Sequence, residues 1–250
     1  MTNYISDLPG WEIALFVVAF LYSISLIARP AKQAALSAGM SAISARNIQF
    51  GIMGFYFLWL LYISILSLKG LFYINSMPPK IVLLATLPLT LILFLFVGNT
   101  VLFKKLLRTI SLESLISMHV FRLVGVFFII LYFYRLLPAG FAFSGGLGDI
   151  ITALLALPIA RMVSKEKPGS MAAVYAWNIF GMLDILNILV IAVITAKDSM
   201  ISGARGDLEM TIFPFAWFPA FAPATILFLH VTIFRKLYQM KSAKLLIRPN

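Results

Sequence analysis

The sequence is poor in the groups on which most soluble enzymes depend. It contains no cysteine, and only 12% of its 250 residues are charged. Of the charged residues, nine are acidic and 20 are basic. The absence of cysteine excludes disulfide bonds, thiolate catalysis and cysteine-ligated metals. Soluble domains usually carry about 25% charged residues, so the low charge excludes an ordinary soluble domain.

Long apolar runs take up most of the chain instead. Hydrophobic residues make up 62% of it, and the mean hydropathy is +0.99. A helix needs roughly 20 apolar residues to cross a bilayer. Seven runs approach that length: Trp11–Ala28, Phe50–Leu68, Ile81–Phe103, Leu112–Leu137, Phe141–Val163, Met171–Ala196 and Thr211–Phe234. We therefore predict an all-α fold, a polytopic transmembrane bundle of seven helices forming one domain over residues 1–250.

Basic residues indicate how this bundle is oriented. Residues 1–12 contain no Lys or Arg, so we expect the first run to be a retained helix and not a cleaved signal peptide. With the N-terminus outside, five basic residues flank the outer helix ends: Lys69, Lys80, Arg135, Lys197 and Arg205. Fourteen flank the inner ends: Arg29, Lys32, Arg46, Lys104, Lys105, Arg108, Arg161, Lys165, Lys167, Arg235, Lys236, Lys241, Lys244 and Arg248. Because Lys and Arg concentrate on the cytoplasmic side, we predict an outside N-terminus and a cytoplasmic C-terminus. The same rule explains the net charge of +11 without nucleic acid as a partner.

The first three apolar runs are almost free of ionisable groups, whereas the last four contain several. An Arg or Asp at the centre of a membrane helix costs roughly 2.5–3.5 kcal/mol, so such residues usually face the bundle interior and pair. We predict a ligand-binding or ion-pair network of Arg122, Asp149, Asp184, Asn178, Asn187, His119 and His230. Asp184 is the preferred partner of Arg122, and Asp149 is the second candidate. Residues 112–250 are expected to carry this site and residues 1–111 to form a three-helix scaffold. The alternative is a network that only fixes helix packing.

A glycine-rich segment, SGGLGD at residues 144–149, lies near the start of the fifth run. Glycines weaken a helix, so the favoured interpretation is an outer loop from Pro138 to about Gly146. The fifth helix would then begin late, with Asp149 in its first turn, where a carboxylate is favourable. The alternative is a partly unwound segment inside the membrane that exposes its backbone to a ligand.

Two helices carry local signals. Ser111 is a suitable cap for the fourth helix, with Glu113 in the first turn. The seventh run contains Pro214, Pro219 and Pro223. Each interior proline removes a backbone hydrogen bond, so carbonyls such as that of Phe215 are expected to lack a helical partner and to face protein or water. The alternative is that these prolines merely kink the helix.

Short motifs in the second half of the chain resemble a family of bacterial seven-helix membrane proteins. They are HVFRLVG at 119–125, LPAGFA at 137–142, GLGD at 146–149, WN at 177–178, GMLD at 181–184, and the last helix from Phe213-Pro214 to Pro219 and His230. The family has no assigned activity. The resemblance implies a multi-pass protein of the bacterial cytoplasmic (inner) membrane and supports the choice of site residues, but it implies no mechanism.

Three functions fit such a network. The leading hypothesis is binding or transport of a small polar or anionic solute, or of protons, by Arg122 with Asp149 and Asp184. The first alternative is a membrane-embedded enzyme on a lipid or isoprenoid, with His119 or His230 as general acid or base. No HExxH motif, nucleophile elbow or metal-ligand cluster supports it, so no catalytic or metal residue is assigned. The second alternative is haem held by both histidines; no other cofactor is expected.

Two further observations bear on which cofactors and partners the protein binds. The last helix contains no lysine between Thr211 and Phe234, which excludes a retinal Schiff base. Membrane lipids are the expected partners, and the basic tail from Arg235 can lie on anionic lipid. Ordinary positive-inside anchoring explains that tail as well.

Overall fold

The computed structural model describes residues 4–73, 76–204 and 206–247, with side chains up to residue 243. These described residues form eight helices and no strand: α1 (Gly10–Ser37), α2 (Ala42–Leu68), α3 (Val82–Asn99), α4 (Val101–Thr109), α5 (Leu112–Phe133), α6 (Ala139–Ser164), α7 (Ser170–Ser202) and α8 (Trp217–Ile247). Seven of them, all except α4, are long and apolar enough to cross a membrane. The predicted bundle of seven membrane-spanning helices is confirmed. Arg205 and Arg248, which contributed to the charge argument, lie outside the described residues.

The third predicted run divides into two helices. It was expected to reach Phe103, but α3 ends at Asn99 because Thr100 adopts an extended conformation. The Thr100 hydroxyl accepts a hydrogen bond from the N–H of Phe103 at 3.0 Å, which is the arrangement of a helix N-cap. The short helix α4 is therefore separate from the membrane-spanning helix α3. Its Lys104 is exposed and its Leu107 is buried.

Helix α5 changes its winding halfway along. It begins as predicted, with the Ser111 hydroxyl accepting from the N–H of Ser114. From His119 to Gly125 it is a 3₁₀ helix, and it returns to α-helix from Val126 to Phe133. A 3₁₀ stretch inside a longer helix often marks a hinge or local strain.

Helix α8 lies at the centre of the bundle, and α7 lies at its periphery. In the most apolar stretch of each, 72% of residues are buried in α8 but only 17% in α7. Aromatic rings from α1, from α8 and from the residues just before α8 form much of the core; Phe16, for example, contacts Phe215 and Phe218 with ring centroids 4.6 and 5.2 Å apart.

The two ends of the bundle are distinct. At one end the N-terminal segment pairs with the α7–α8 connection, since Ser6 donates to the carbonyl of Phe213 at 2.9 Å and Phe213 donates to that of Tyr4 at 3.0 Å. We call this the loop end. The opposite end, which carries α4 and the C-terminal part of α8, we call the tail end.

Candidate functional site

A fully buried basic side chain lies inside the bundle: Arg122, in the 3₁₀ part of α5, is only 2% exposed. Its Nε donates to Oδ1 of Asp149 on α6 at 2.6 Å, and its Nη2 donates to Oδ2 of Asp184 on α7 at 2.5 Å. Arg122 therefore pairs with both of the carboxylates between which the sequence left a choice. We call Arg122, Asp149 and Asp184 the triad.

The remaining guanidinium nitrogen binds α7 and α8. Nη1 of Arg122 lies 3.1 Å from the carbonyl of Gly181 and 3.1 Å from Nε2 of His230. Because arginine can only donate, Nε2 of His230 accepts, and its proton resides on Nδ1. That Nδ1–H donates to Oδ1 of Asn178 at 2.8 Å, while Nδ2 of Asn178 donates to the carbonyl of His230 at 3.1 Å. His230 is thus held neutral and in one tautomer.

The charges of the triad do not cancel. One guanidinium faces two carboxylates, so with both carboxylates ionised and His230 neutral the triad carries one surplus negative charge. A surplus charge in a membrane interior costs several kcal/mol. A proton or a bound cation removes it.

Three glycines allow the helices to approach closely enough for Arg122 to reach its partners. A Cβ on Gly148 would overlap the carboxylate of Asp184, and one on Gly125 would lie 2.5 Å from Cβ of Asp149. A Cβ on Gly181 would lie 2.6 Å from Cε1 of His230 and 3.0 Å from Nη1 of Arg122. Small residues at membrane helix crossings let backbones come together. The sequence analysis missed this role of the three glycines.

The glycine-rich segment at residues 144–149 is neither an outer loop nor an unwound segment inside the membrane. Helix α6 runs without interruption from Ala139 to Ser164, so the predicted loop from Pro138 to Gly146 is wrong. Asp149 lies in the third turn, not the first, and the segment is not unwound. The physical reason is packing: the glycines face neighbouring helices, and a Cβ on Gly145 would lie 3.1 Å from the side chain of Ile188. Close helix contact offsets their low helix propensity.

His119 lies one turn from Arg122 toward the tail end. It is fully buried, and neither of its ring nitrogens has a hydrogen-bond partner among the described residues. Its ring lies 4.3 Å from that of His230 and 5.1 Å from that of Trp177, measured between centroids. His119 is therefore held by ring contacts, next to the triad and its partners.

The two histidines do not fit a haem. A haem with two histidine ligands lies between the imidazole rings, whereas here the rings of His119 and His230 are in contact. Both nitrogens of His230 are also bonded to protein, to Arg122 and Asn178. Among the described residues, no group of three or more His, Asp or Glu could hold a metal ion.

Asn187 does not join the other predicted site residues. It is exposed on α7, while Arg122, Asp149, Asp184, Asn178, His119 and His230 lie together. No hydrogen bond in the described structure joins either histidine to a carboxylate. The acid–base pair that an enzyme would need is thus not formed at this site.

A mainly apolar cavity of about 330 Å³ opens from the triad toward the loop end. Asp149 lies at its floor and Asp207, in the α7–α8 connection, at its mouth. One face of α7 lines it from Ile185 to Met200, which corresponds to about 22 Å of helix at 1.5 Å per residue. Phe128, Phe141, Thr86, Phe218, Pro219 and Ala222 are among the remaining lining residues. The lining contains two acidic side chains and, among the described residues, no basic one.

Burial changes the pKa of Asp207, the acidic side chain at the cavity mouth. It raises the pKa of Asp207 from its ordinary value of 3.8 to about 6. The cavity mouth therefore gains a negative charge near pH 6, in addition to the surplus charge at the floor.

The proline-rich helix forms one wall of this cavity. Only Pro223 lies well inside α8, because Pro214 precedes the helix and Pro219 lies in its first turn. The carbonyl of Phe215, expected to lack a helical partner, accepts from the N–H of Phe218 at 3.0 Å. Pro223 removes the usual partner of the Pro219 carbonyl, and the Thr86 hydroxyl of α3 replaces it at 2.7 Å.

Seven apolar helices around a buried ionic cluster define a multi-pass helical membrane protein. More particularly, the chain belongs to the family described as domain of unknown function DUF8737, which matches residues 78–238. The matched stretch contains the whole triad, both histidines and Asn178. No curated protein and no solved structure matches the chain.

Proposed function

We propose that the protein is a membrane transporter that exchanges protons for a small, mainly apolar molecule bearing an amine or another positively charged group. The observation that carries the proposal is the surplus negative charge of the triad at the floor of an apolar cavity. Geometry and charge together support a shared site for the proton and the solute.

The exchange follows from charge competition. A proton on Asp149 or Asp184, or a cation in the cavity beside Asp149, each neutralises the surplus charge. Once one has bound, the second would create a surplus positive charge at membrane depth, which is costly. The two therefore exclude each other, which is the thermodynamic requirement for exchange.

An anionic solute is supported less well. Among the described residues, Arg122 is the only Lys or Arg at this depth, and it already donates to Asp149, Asp184, Gly181 and His230. An anion would have to displace a carboxylate from a fully buried guanidinium. The lining of the cavity, with Asp149 and Asp207, repels it further.

We propose His119, one turn toward the tail end, as the group that passes a proton to and from the triad. It has two ring nitrogens free of hydrogen bonds among the described residues, and its ring contacts that of His230. Because the cavity leads from the triad to the loop end, a solute would enter from that end.

The setting proposed for this exchange follows from the sequence. The excess of basic residues at the tail end supports a cytoplasmic tail end and an outside N-terminus. The resemblance to bacterial proteins supports the bacterial inner membrane. Residues 1–111 act as scaffold, since Trp59 of α2 and Thr86 of α3 donate to the α8 carbonyls of Ala220 and Pro219. Residues 112–250 carry the site.

The test is proton release from weakly buffered, detergent-solubilised protein on addition of benzyltrimethylammonium, followed with a pH indicator. We expect up to one proton per chain from the wild type and none with benzenesulfonate, an anion of similar size. Ala192→Phe, which places a ring in the cavity, should abolish the release. Val190→Phe, on an exposed face of the same helix, should not.

The proton site itself is tested without any solute. Infrared difference spectra between low and high pH should contain a protonated carboxyl band that Asp184→Asn removes or shifts. Asp198→Asn, at an exposed position of the same helix, should leave that band unchanged. An identical band in the wild type and Asp184→Asn would contradict proton binding by the triad.

A further inference from the structure

The tail end carries a second site, remote from the triad. An open groove of about 680 Å³ lies between the end of α3, helix α4 and α8. Its lining includes Lys104, Arg108 and Arg235, with Asn99 and Gln239 beside them, and no acidic residue in the part of the chain that the structure describes. All three basic side chains are exposed, so their charges are free to meet an anion. We call this the basic groove.

An apolar groove adjoins it. This second groove, of about 380 Å³, extends between α1, α2, α3, α5 and α8 and shares Phe103 and Leu107 with the basic groove. Ile52, Leu93, Met118 and Phe228 are typical of its lining, and none of the described lining residues is charged. The basic groove and the apolar groove are thus adjacent and meet at Phe103 and Leu107.

Hydrogen bonds hold α4 and the basic groove in place. Nζ of Lys236 donates to the carbonyls of Leu107 and Arg108 at the end of α4, at 3.2 and 2.9 Å. Nη1 of Arg235 donates to the carbonyl of Gly98 at 3.2 Å, and no other bond of this guanidinium is formed in the described structure. The groove is therefore built by α4 and α8 together, and most of the donors of Arg235 remain free for a ligand.

We propose that the two grooves together bind one anionic phospholipid, with its phosphate group in the basic groove and an acyl chain in the apolar groove. Basic pockets between membrane helices are suited to anionic head groups. A free phosphate ion would use only the basic groove. The apolar groove that adjoins the basic groove at Phe103 and Leu107 is the reason for assigning a lipid.

Native mass spectrometry of the purified protein, titrated with phosphatidylglycerol or with phosphatidylcholine, tests this proposal. We expect a bound phosphatidylglycerol and much weaker binding of phosphatidylcholine. The triple variant Lys104→Gln, Arg108→Gln, Arg235→Gln should weaken phosphatidylglycerol binding about a hundredfold, at roughly 1 kcal/mol for each basic residue. The matched control is Arg161→Gln, Lys165→Gln, Lys167→Gln, which removes the same charge from exposed residues at the same end and should bind like the wild type.

Two further measurements separate a lipid from other anions and from general attraction. Gly51→Leu fills the apolar groove and should weaken phosphatidylglycerol binding, whereas Gly54→Leu, on the same helix but outside the groove, should not. Inorganic phosphate at millimolar concentration should not displace the lipid. Displacement by phosphate, equal weakening by the two triple variants, or equal binding of both lipids would each overturn the proposal.

Discussion

The tightest contact at the triad predicts the effect of one added methyl group. Gly148 of α6 lies directly against the carboxylate of Asp184, and a Cβ at this position would overlap it. Gly148→Ala must therefore move Asp184 away from Arg122 or separate α6 from α7. In both cases the hydrogen bond from Nη2 of Arg122 is lost or lengthened.

The size of the effect follows from three contributions. Alanine is favoured over glycine inside a helix by about 1 kcal/mol. Overpacking costs about 1–3 kcal/mol, and breaking a buried ion pair costs about 3–5 kcal/mol when one partner is left uncompensated. Because Asp149 still pairs with Arg122, only part of the last cost applies. We expect a net loss of about 3 kcal/mol, which for a chain of this size lowers the melting temperature by roughly 6–12 °C.

Thermal unfolding in mild detergent measures this loss. Gly140→Ala is the matched control, since it lies on the same helix and a Cβ there has no neighbour within 4 Å. Its stability should stay within about 0.5 kcal/mol of the wild type. Equal melting temperatures for Gly148→Ala and Gly140→Ala would refute the argument that the glycines of α6 allow the triad to form.

Two other side chains at the cavity give predictions of known sign. Thr86→Val removes the hydrogen-bond donor to the Pro219 carbonyl and should lower the free energy of unfolding by about 1 kcal/mol, measured by thermal unfolding. In a Pro223→Ala background the helix supplies a backbone donor to that carbonyl, so the loss caused by Thr86→Val should largely vanish in a double-mutant cycle. An undiminished loss would contradict the hydrogen-bonding role of Thr86. Burial raises the pKa of Asp207 to about 6, so the folded protein holds this proton more tightly than the unfolded chain. The stabilisation from this group is therefore complete below about pH 4 and is lost as the pH rises through about 6. In Asp207→Asn, the melting temperature at pH 5 should exceed that at pH 7 by less than it does in the wild type. An unchanged difference between the two pH values would show that Asp207 does not titrate in this range.

The fold could be predicted because each membrane span needs an apolar run of fixed length. The same rule fails where a helix does not span. The first three residues of α4 were assigned to the third run because the apolar residues continue past Asn99, and only the Thr100 cap separates the two helices. The late start expected for α6 failed for a related reason. Helix propensity describes an isolated helix, whereas Gly145 and Gly148 lie against neighbours whose contact outweighs it.

The residues that meet at the triad could be named from the sequence, but their pairing could not. Placing a charge at membrane depth is costly, so Arg122, Asp149 and Asp184 were recognisable singly. Their distances depend on how closely three helices approach and on the 3₁₀ winding at Arg122. Asn187 shares the polarity of the others but lies on the exposed side of α7, one turn from Asp184. Polarity alone therefore does not predict which face of a helix is buried.

A signal for the helix approach was nevertheless present in the spacing of glycines. Gly125 follows Arg122 by three residues, Gly181 precedes Asp184 by three, and residues three apart share a helix face. Gly148 is the residue before Asp149, yet it meets Asp184 of the neighbouring helix. Each charge of the triad is thus accompanied by a glycine at a helix contact. Close packing and charge burial are therefore one requirement here, because a guanidinium can bind carboxylates on two other helices only where the backbones approach one another.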